Sequence, residues 1–342
     1  MPELYKRWRL HVFPVTHVHI ASGEWLDPTQ YVITGNQFHV LNQPRLIAHL
    51  NAKDPAKLKE MVGLGHNRIA RFLSESFDPA QTGTWSQRHP VEEAYQKQYL
   101  QDLDNPAAQQ LVSSFIANRL TGNPYLPGSS IKGALRTALV AWRAKDPAAR
   151  IRRFASGEIS ERDLEPILFG YLNDWGRPNI TLDPFKGLKV ADCEFPMAFL
   201  GLRKIEVRKK NPREESQRAH PGDELSYLAQ VLVKGTPGLS TMLAADRHWL
   251  GKFPIERMIA SCNDFFRQKL REDDSFYLPE RKKLHDNLAE WLANLKPNQF
   301  LLRLGKGTGS LHKSVNDPHP ATRSLAGGMP LGICCCTLEE LP

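Results

Sequence analysis

The residues best placed to do chemistry lie in one stretch, Asn123 to Ala144, reading NPYLPGSSIKGALRTALVAWRA. Pro127-Gly128 predicts a turn, and Ser129 or Ser130 then stands where a side chain can cap a helix start. Ile131, Leu135, Ala138, Leu139 and Trp142 recur at three-to-four spacing and predict one buried face. Lys132, Arg136 and Arg143 fall together on the other side. A Gly-Ser-Ser turn would thus bring bare backbone N–H groups, hydroxyls and a basic stripe into one place. That is the chemistry of a phosphate site at a helix N-terminus. An ordinary capped helix with a solvated basic face accounts for the same residues equally well.

A second candidate is LRLGKGTGSLHKS, where Gly305, Gly307 and Gly309 alternate with Lys306 and Thr308, and Arg303 precedes them. Glycines let a backbone approach a ligand closely, and the cations add charge. The spacing fits neither a G-x-x-x-x-G-K-[ST] loop nor a dinucleotide fingerprint, so taken alone it is a flexible loop. Histidines form the third candidate. Residues Trp8 to Ile20 alternate as a first strand, on which His11, His17 and His19 would share a face by parity. With His39 and Lys132 they could supply general acid–base catalysis. Histidines alternating on a strand are more often structural, and His19 by itself reads as a hydrogen-bonding residue. The five cysteines, Cys193, Cys262 and the run Cys334–Cys336, form no C-x-x-C pair and have no histidine pair at ligand spacing. They read as small buried hydrophobes. No catalytic residue, metal site or cofactor is therefore expected.

The elements that must position these residues follow from periodicity. After the first strand, HIASG (His19 to Gly23) is expected to turn the chain, and Asp27 follows in an acidic loop. From about Leu41 to Ser114, short helical patterns (46–50, 58–62, 69–77, 91–103) are broken by Pro55, Pro79, Pro90 and Pro106. SFDPAQTGTWSQRHP among them reads as a polar loop. Beyond the PGSS helix come a basic patch at Arg150, Arg152 and Arg153, a strand over LKVADCEF, and another from Phe199 to Val207. Arg208, Lys209, Lys210 and Arg213 open a charged segment, and Leu225 to Val233 gives a further strand. Two helices are expected next, one with an apolar face from Ile255 to Leu270 and one from Leu284 to Leu295. Short strands at Gln299–Leu304 and Leu331–Leu338 close the chain.

At 342 residues the chain can bury a large core, and 45 Lys and Arg against 37 Asp and Glu give a formal charge of +8. That balance is compatible with a polyanionic partner. No apolar run reaches the ~18 residues of a membrane span, and the N-terminus lacks the apolar stretch of a secretory signal. A cytoplasmic protein without a membrane partner is expected.

PYLPGSSIKGALRTAL closely resembles the motif of the RAMP superfamily, the RNA-binding subunits of CRISPR effector complexes. HVHIASGEWLDPTQYVI, LKVADCEF and LLRLGKGTGS extend the resemblance to separate parts of the chain. Within the family the chain looks most like the subunit that caps the crRNA 3′-end side of type III-A (Csm) complexes. The resemblance implies an α+β fold with a ferredoxin-like (RRM-like) core and large helical insertions, matching the coarse order strand, helix, two strands, helices, strand. It implies a single RAMP unit over 1–342, a helical insertion at about 41–118, and a closing part at about 236–342 holding a helical segment, the Gly-rich loop and the last strand. A degenerate second ferredoxin-like lobe in that closing part stays open. The implied RNA contacts are His19, Ser22 and Gly23 beside the first strand, and Gly128, Ser129, Ser130, Lys132 and Arg136 on the PGSS helix. Arg303, Gly305, Lys306, Gly307, Thr308 and Gly309 would cradle the RNA backbone.

The implied partners are crRNA, other subunits of the type III-A complex including a neighbouring backbone RAMP subunit, and cellular nucleases. Related backbone subunits cleave target RNA with a loop aspartate, but nothing local makes Asp27 more than a loop carboxylate. The expected role is structural and not enzymatic: holding crRNA by its phosphates and supporting 3′-end maturation. The alternatives are a metal-independent endoribonuclease acting on CRISPR repeat RNA, and a backbone RAMP subunit present in several copies.

Overall fold

The computed structural model describes residues 4–62, 65–103, 105, 110–145, 161–209, 226–273, 290, 294–305 and 322–342. The Arg150–Arg153 patch, most of the charged segment after Arg208, the helix expected at Leu284–Leu295, and Lys306, Gly307, Thr308 and Gly309 lie outside them.

The first strand, Tyr5–Pro14, buries Trp8, Leu10 and Val12 and turns Arg7, Arg9 and Phe13 to solvent. It ends at Pro14, short of the expected Ile20, because proline brings no ladder donor. Val15 and Thr16 donate instead to the carbonyl of Ile333, and Val18 bridges to Leu232. His17 and His19 therefore leave the strand, and the shared histidine face does not form.

Tyr5–Pro14 lies third in a five-stranded antiparallel sheet: Gln299–Arg303, Ile333–Glu340, Tyr5–Pro14, Leu239–Asp246, Leu188–Val190. In chain order, the Gly128–Ala144 helix stands between the first strand and Leu188–Val190. The Ile255–Asp273 helix stands between Leu239–Asp246 and Ile333–Glu340. Both helices pack on one face of the sheet, joining Leu135, Leu139, Met258, Cys262 and Phe300 in the largest core. The cysteines are free and buried, and burial pushes the Cys335 thiol up to about 11, in keeping with hydrophobic packing.

Leu239–Asp246 escapes the sequence reading, although it is the first strand's neighbour in the sheet. Its inward residues, Leu239, Thr241, Leu243 and Ala245, include one hydroxyl and one methyl, which mutes the apolar alternation. The strands expected at Phe199–Val207 and Leu225–Val233 form, as Leu200–Lys209 and Ser226–Leu232, but in a second sheet. Its six strands run Met329–Pro330, Thr322–Ala326, Leu200–Lys209, Ser226–Leu232, Val112–Phe115, Ala21–Leu26. HIASG is not a turn: Ala21–Leu26 is an edge strand whose register shifts between Ala21 and Trp25, where Gly23 adopts φ +94°. LKVADCEF also departs from expectation. Leu188–Val190 joins the first sheet, and Cys193–Glu194 pairs with Tyr125–Leu126 in a separate ribbon.

The region between holds helices Gln43–Lys53, Pro55–Val62, His66–Ser76 and Glu93–Asp102 beside a three-stranded sheet of Tyr31–Thr34, Gln37–Leu41 and Trp85–Pro90. The expected polar loop SFDPAQTGTWSQRHP is thus half strand, since Trp85–Pro90 pairs with Gln37–Leu41. Gln230 latches this sheet to the six-stranded one. Its amide donates to Gln87 Oε1 at 2.8 Å and His89 Nε2 at 3.1 Å, while its oxygen accepts from Phe115 N–H at 2.9 Å. Among the described residues no helix is long and apolar enough to cross a membrane.

Candidate nucleic-acid interface

The PGSS helix forms over Gly128–Ala144, but its start differs from the serine-capped one expected. Pro127 occupies the N-cap position and no side chain caps from there. The carboxylate comes from across the ribbon: Gly128 N–H donates to Asp192 Oδ1 at 2.7 Å. An internal anion thus meets the positive end of the helix, taking one of the N–H groups a phosphate would have used. Nothing in the spacing singles out Asp192. Gly128 is buried, and a Cβ there would overlap the Val190 carbonyl and lie 2.8 Å from Ala191 O. Its absence of side chain serves packing. Ser129 is exposed and Ser130 half-buried, so both hydroxyls stay near the surface.

The basic stripe divides into two kinds of cation. Arg136 bonds Glu165 through Nε, reaches Asp183 Oδ2 at 3.1 Å and Tyr171 Oη at 3.2 Å, and lies 4.8 Å over the Phe185 ring. Burial opposes its charge, and the Glu165 and Asp183 carboxylates outweigh that and hold its pKa above the ordinary value. Arg136 thus braces the fold, with its guanidinium engaged by carboxylates of this chain. Lys132, one turn earlier, is half-buried and makes no ion pair among the described residues. Burial, then the nearby Lys189 ammonium, lowers its pKa, with Asp183 acting in the opposite sense. A cation held beside another cation is an electrostatic site for an anion.

His19 lies elsewhere than expected. It is fully buried, donating from Nδ1 to the Gln230 carbonyl at 2.7 Å and accepting at Nε2 from Ser113 Oγ at 3.1 Å. Both ring nitrogens are engaged inside the protein. Ser22 is exposed but accepts from Glu24 N–H at 3.0 Å, and Gly23 is exposed at the bulge of the edge strand. Arg303 is 4% exposed, its Nε donating to the Leu331 carbonyl at 3.0 Å, so it too is withdrawn from solvent. Gly305 adopts φ +93°, and a Cβ there would overlap the His19 carbonyl. The root of the Gly-rich segment is therefore pinned against the chain that leaves the first strand.

The candidate general bases do not assemble. His11 is exposed and pairs with Glu339 at 3.0 Å. His17 accepts the Lys234 N–H at 3.2 Å, and burial, with Arg203 and Lys234, lowers its pKa to about 4. His39 stands in the three-stranded sheet against Phe77 and Trp85. No group of three metal-ligating side chains occurs among the described residues.

Two helices on one face of an antiparallel sheet, with a PGSS helix start near lysines that make no ion pair among the described residues, define a mixed α and β fold. The RAMP superfamily profile matches residues 14–312, and the chain belongs to that superfamily. In sequence it is similar to a protein of Streptococcus thermophilus described as CRISPR system Cms protein Csm5. The two are 23% identical over 242 residues, 65% of this chain and 60% of that relative. In fold it is similar to a chain of a Csm–crRNA–target RNA ternary complex of a type III-A CRISPR-Cas system. That likeness has a TM-score of 0.66 at 18% identity and covers 98% of this chain and 100% of the other. It is also similar to the Csm5 of T. onnurineus, with a TM-score of 0.58 at 19% identity over 96% and 99% of the two chains.

Proposed function

We propose that this chain is a non-catalytic crRNA-binding subunit of a type III-A CRISPR effector complex, closing the 3′-end side of the guide. The carrying observation is the agreement between a Csm5 likeness in sequence and the likeness in fold, over 98% of this chain, to a chain of a Csm–crRNA–target RNA complex. The strand order supports a ferredoxin-like core. Ile333–Glu340, Tyr5–Pro14, Leu239–Asp246 and Leu188–Val190 stand as fourth, first, third and second, with a helix in each crossover and Gln299–Arg303 added at the edge. Exposed Ser129 beside Lys132 and Lys189 supports a grip on phosphates, which holds guides of any sequence. The dispersal of His11, His17, His19 and His39 over separate environments favours binding over cleavage. Its partners are then crRNA and the adjoining Csm subunits, including a backbone RAMP subunit, with trimming left to cellular nucleases.

Complexes assembled without this chain are expected to carry crRNAs with correct 5′ ends and aberrant 3′ ends, read by sequencing both termini. Uncut precursor RNA in its place would favour the endoribonuclease. Several copies per complex in native mass measurement would favour the backbone subunit.

A further inference from the structure

The five-stranded sheet carries its two helices on one face only, and the other face is open at its centre. Phe13 is 41% and Met242 39% exposed there, beside the Arg9 and His11 side chains that share Glu339. Strand register places more cations on this face. Lys189 pairs with Ala244, and Ala244 pairs with Arg7, so the three side chains stand in one row across three strands. Lys189 and Arg7 are both exposed, and their Cα atoms are two strand spacings apart, roughly 10 Å. Neither makes an ion pair among the described residues, unlike Lys6, which pairs with Glu340, and Arg9, which pairs with Glu339.

Lys189 also belongs to the other side of the molecule. Its strand is at the sheet edge, Gly128 packs against the neighbouring Val190 carbonyl, and the Lys189 charge acts on Lys132. Lys132, Lys189 and Arg7, none with an ion pair among the described residues, therefore form a run of cations that leaves the PGSS helix, rounds the edge strand and enters the open sheet face. Like charges held in a line repel one another, and a polyanion laid along them removes that cost.

We infer that the open face of the five-stranded sheet is a second contact surface for single-stranded RNA, continuous with the PGSS helix through the row Lys132, Lys189 and Arg7. This rests on the RNA-binding reading above and extends its footprint. Phosphates follow the cation row, and Phe13 and Met242 supply apolar surface for bases beyond it. Asp246, next to the row on the same face, is engaged as the N-cap of the helix that follows, accepting from Trp249 N–H at 2.7 Å, so the charges left to an occupant are cations spaced along a track, which suits RNA better than a protein neighbour.

The test uses the full chain, a fluorescent oligouridylate and a salt series. Lys189→Glu with Arg7→Glu is expected to weaken binding and reduce the log–log salt slope by roughly 1.4, two single-strand phosphate contacts. Lys189→Arg with Arg7→Lys should bind as the parent does, which separates charge from folding. Lys132→Glu alone reports on the PGSS site. If Lys132→Glu weakens binding and the double variant leaves affinity and slope unchanged, the second surface is overturned and the first stands. If neither affects binding, both readings fail. If the double variant binds RNA normally but no longer enters the Csm complex, the face docks protein and the inference is overturned.

Discussion

At Arg136 charge and packing compete most directly. Its guanidinium joins Glu165 on one helix, Asp183 and Tyr171 on loops, and the face of Phe185. Arg136→Ala would leave two half-buried carboxylates facing each other. With the Arg136 side chain 30% exposed, solvent relieves part of that penalty, and a loss of roughly 2 kcal/mol is expected from urea midpoints at constant m value. Lys132→Glu is the opposite case. It should leave the urea midpoint nearly unchanged while weakening RNA binding similarly for unrelated guide sequences, with a salt slope smaller by about 0.7. Gly128→Ala should act on stability like Arg136→Ala, because backbone at Val190 and Ala191 must shift to admit a methyl group, costing about 1–3 kcal/mol.

Between elements, the decisive contacts are buried polar ones. Gln230 ties Trp85–Pro90 of the three-stranded sheet to the six-stranded sheet through Gln87 and His89, and its carbonyl holds His19. Burial is the main cause lowering the His89 pKa to about 4, against 6.5 for an ordinary histidine. The unfolded chain therefore takes up the proton first as pH falls. The stabilisation is whole above 6.5 and is lost progressively down to about 4, where the folded form also protonates. The drop attributable to His89 is about 3 kcal/mol across that window, and His17, lowered to about 4 mainly by burial, adds in the same sense. Urea midpoints taken from pH 7 to pH 4 should fall accordingly, and His89→Gln should flatten the fall.

For the molecule as a whole, RNA is expected to be held without being cut. Purified protein incubated with repeat RNA should leave it intact, and His11→Ala, the exposed member of the histidine set, should change neither crRNA processing nor assembly. His17 and His19 are poor choices for that test because both are built into the fold. A Gly305→Val variant should lose thermal stability along with binding, since its positive φ and the His19 carbonyl both exclude a side chain.

The sequence by itself determined the elements with strong periodicity. The PGSS helix and the helix starting at Ile255 are legible because one face of each is apolar, and the strands at Leu200–Lys209, Ser226–Leu232, Gln299–Arg303 and Ile333–Glu340 because they contain short apolar runs, several of them buried on both faces. Its motif wording also pointed to the superfamily. Tertiary structure alone decided which sheet each strand joins, since alternation records only that a face is buried and not what buries it. The strands after Pro196 went to the second sheet, and Leu239–Asp246, with its small and hydroxylic inward residues, took the place beside Tyr5–Pro14. The same holds for the site. Lys132 and Arg136 look alike in sequence, one turn apart on one stripe. Only the arrival of Glu165 and Asp183 from distant segments makes one a brace, and only strand register puts Lys189 in line with Arg7. Long-range pairing sets the charge each side chain presents, and local spacing carries no record of it.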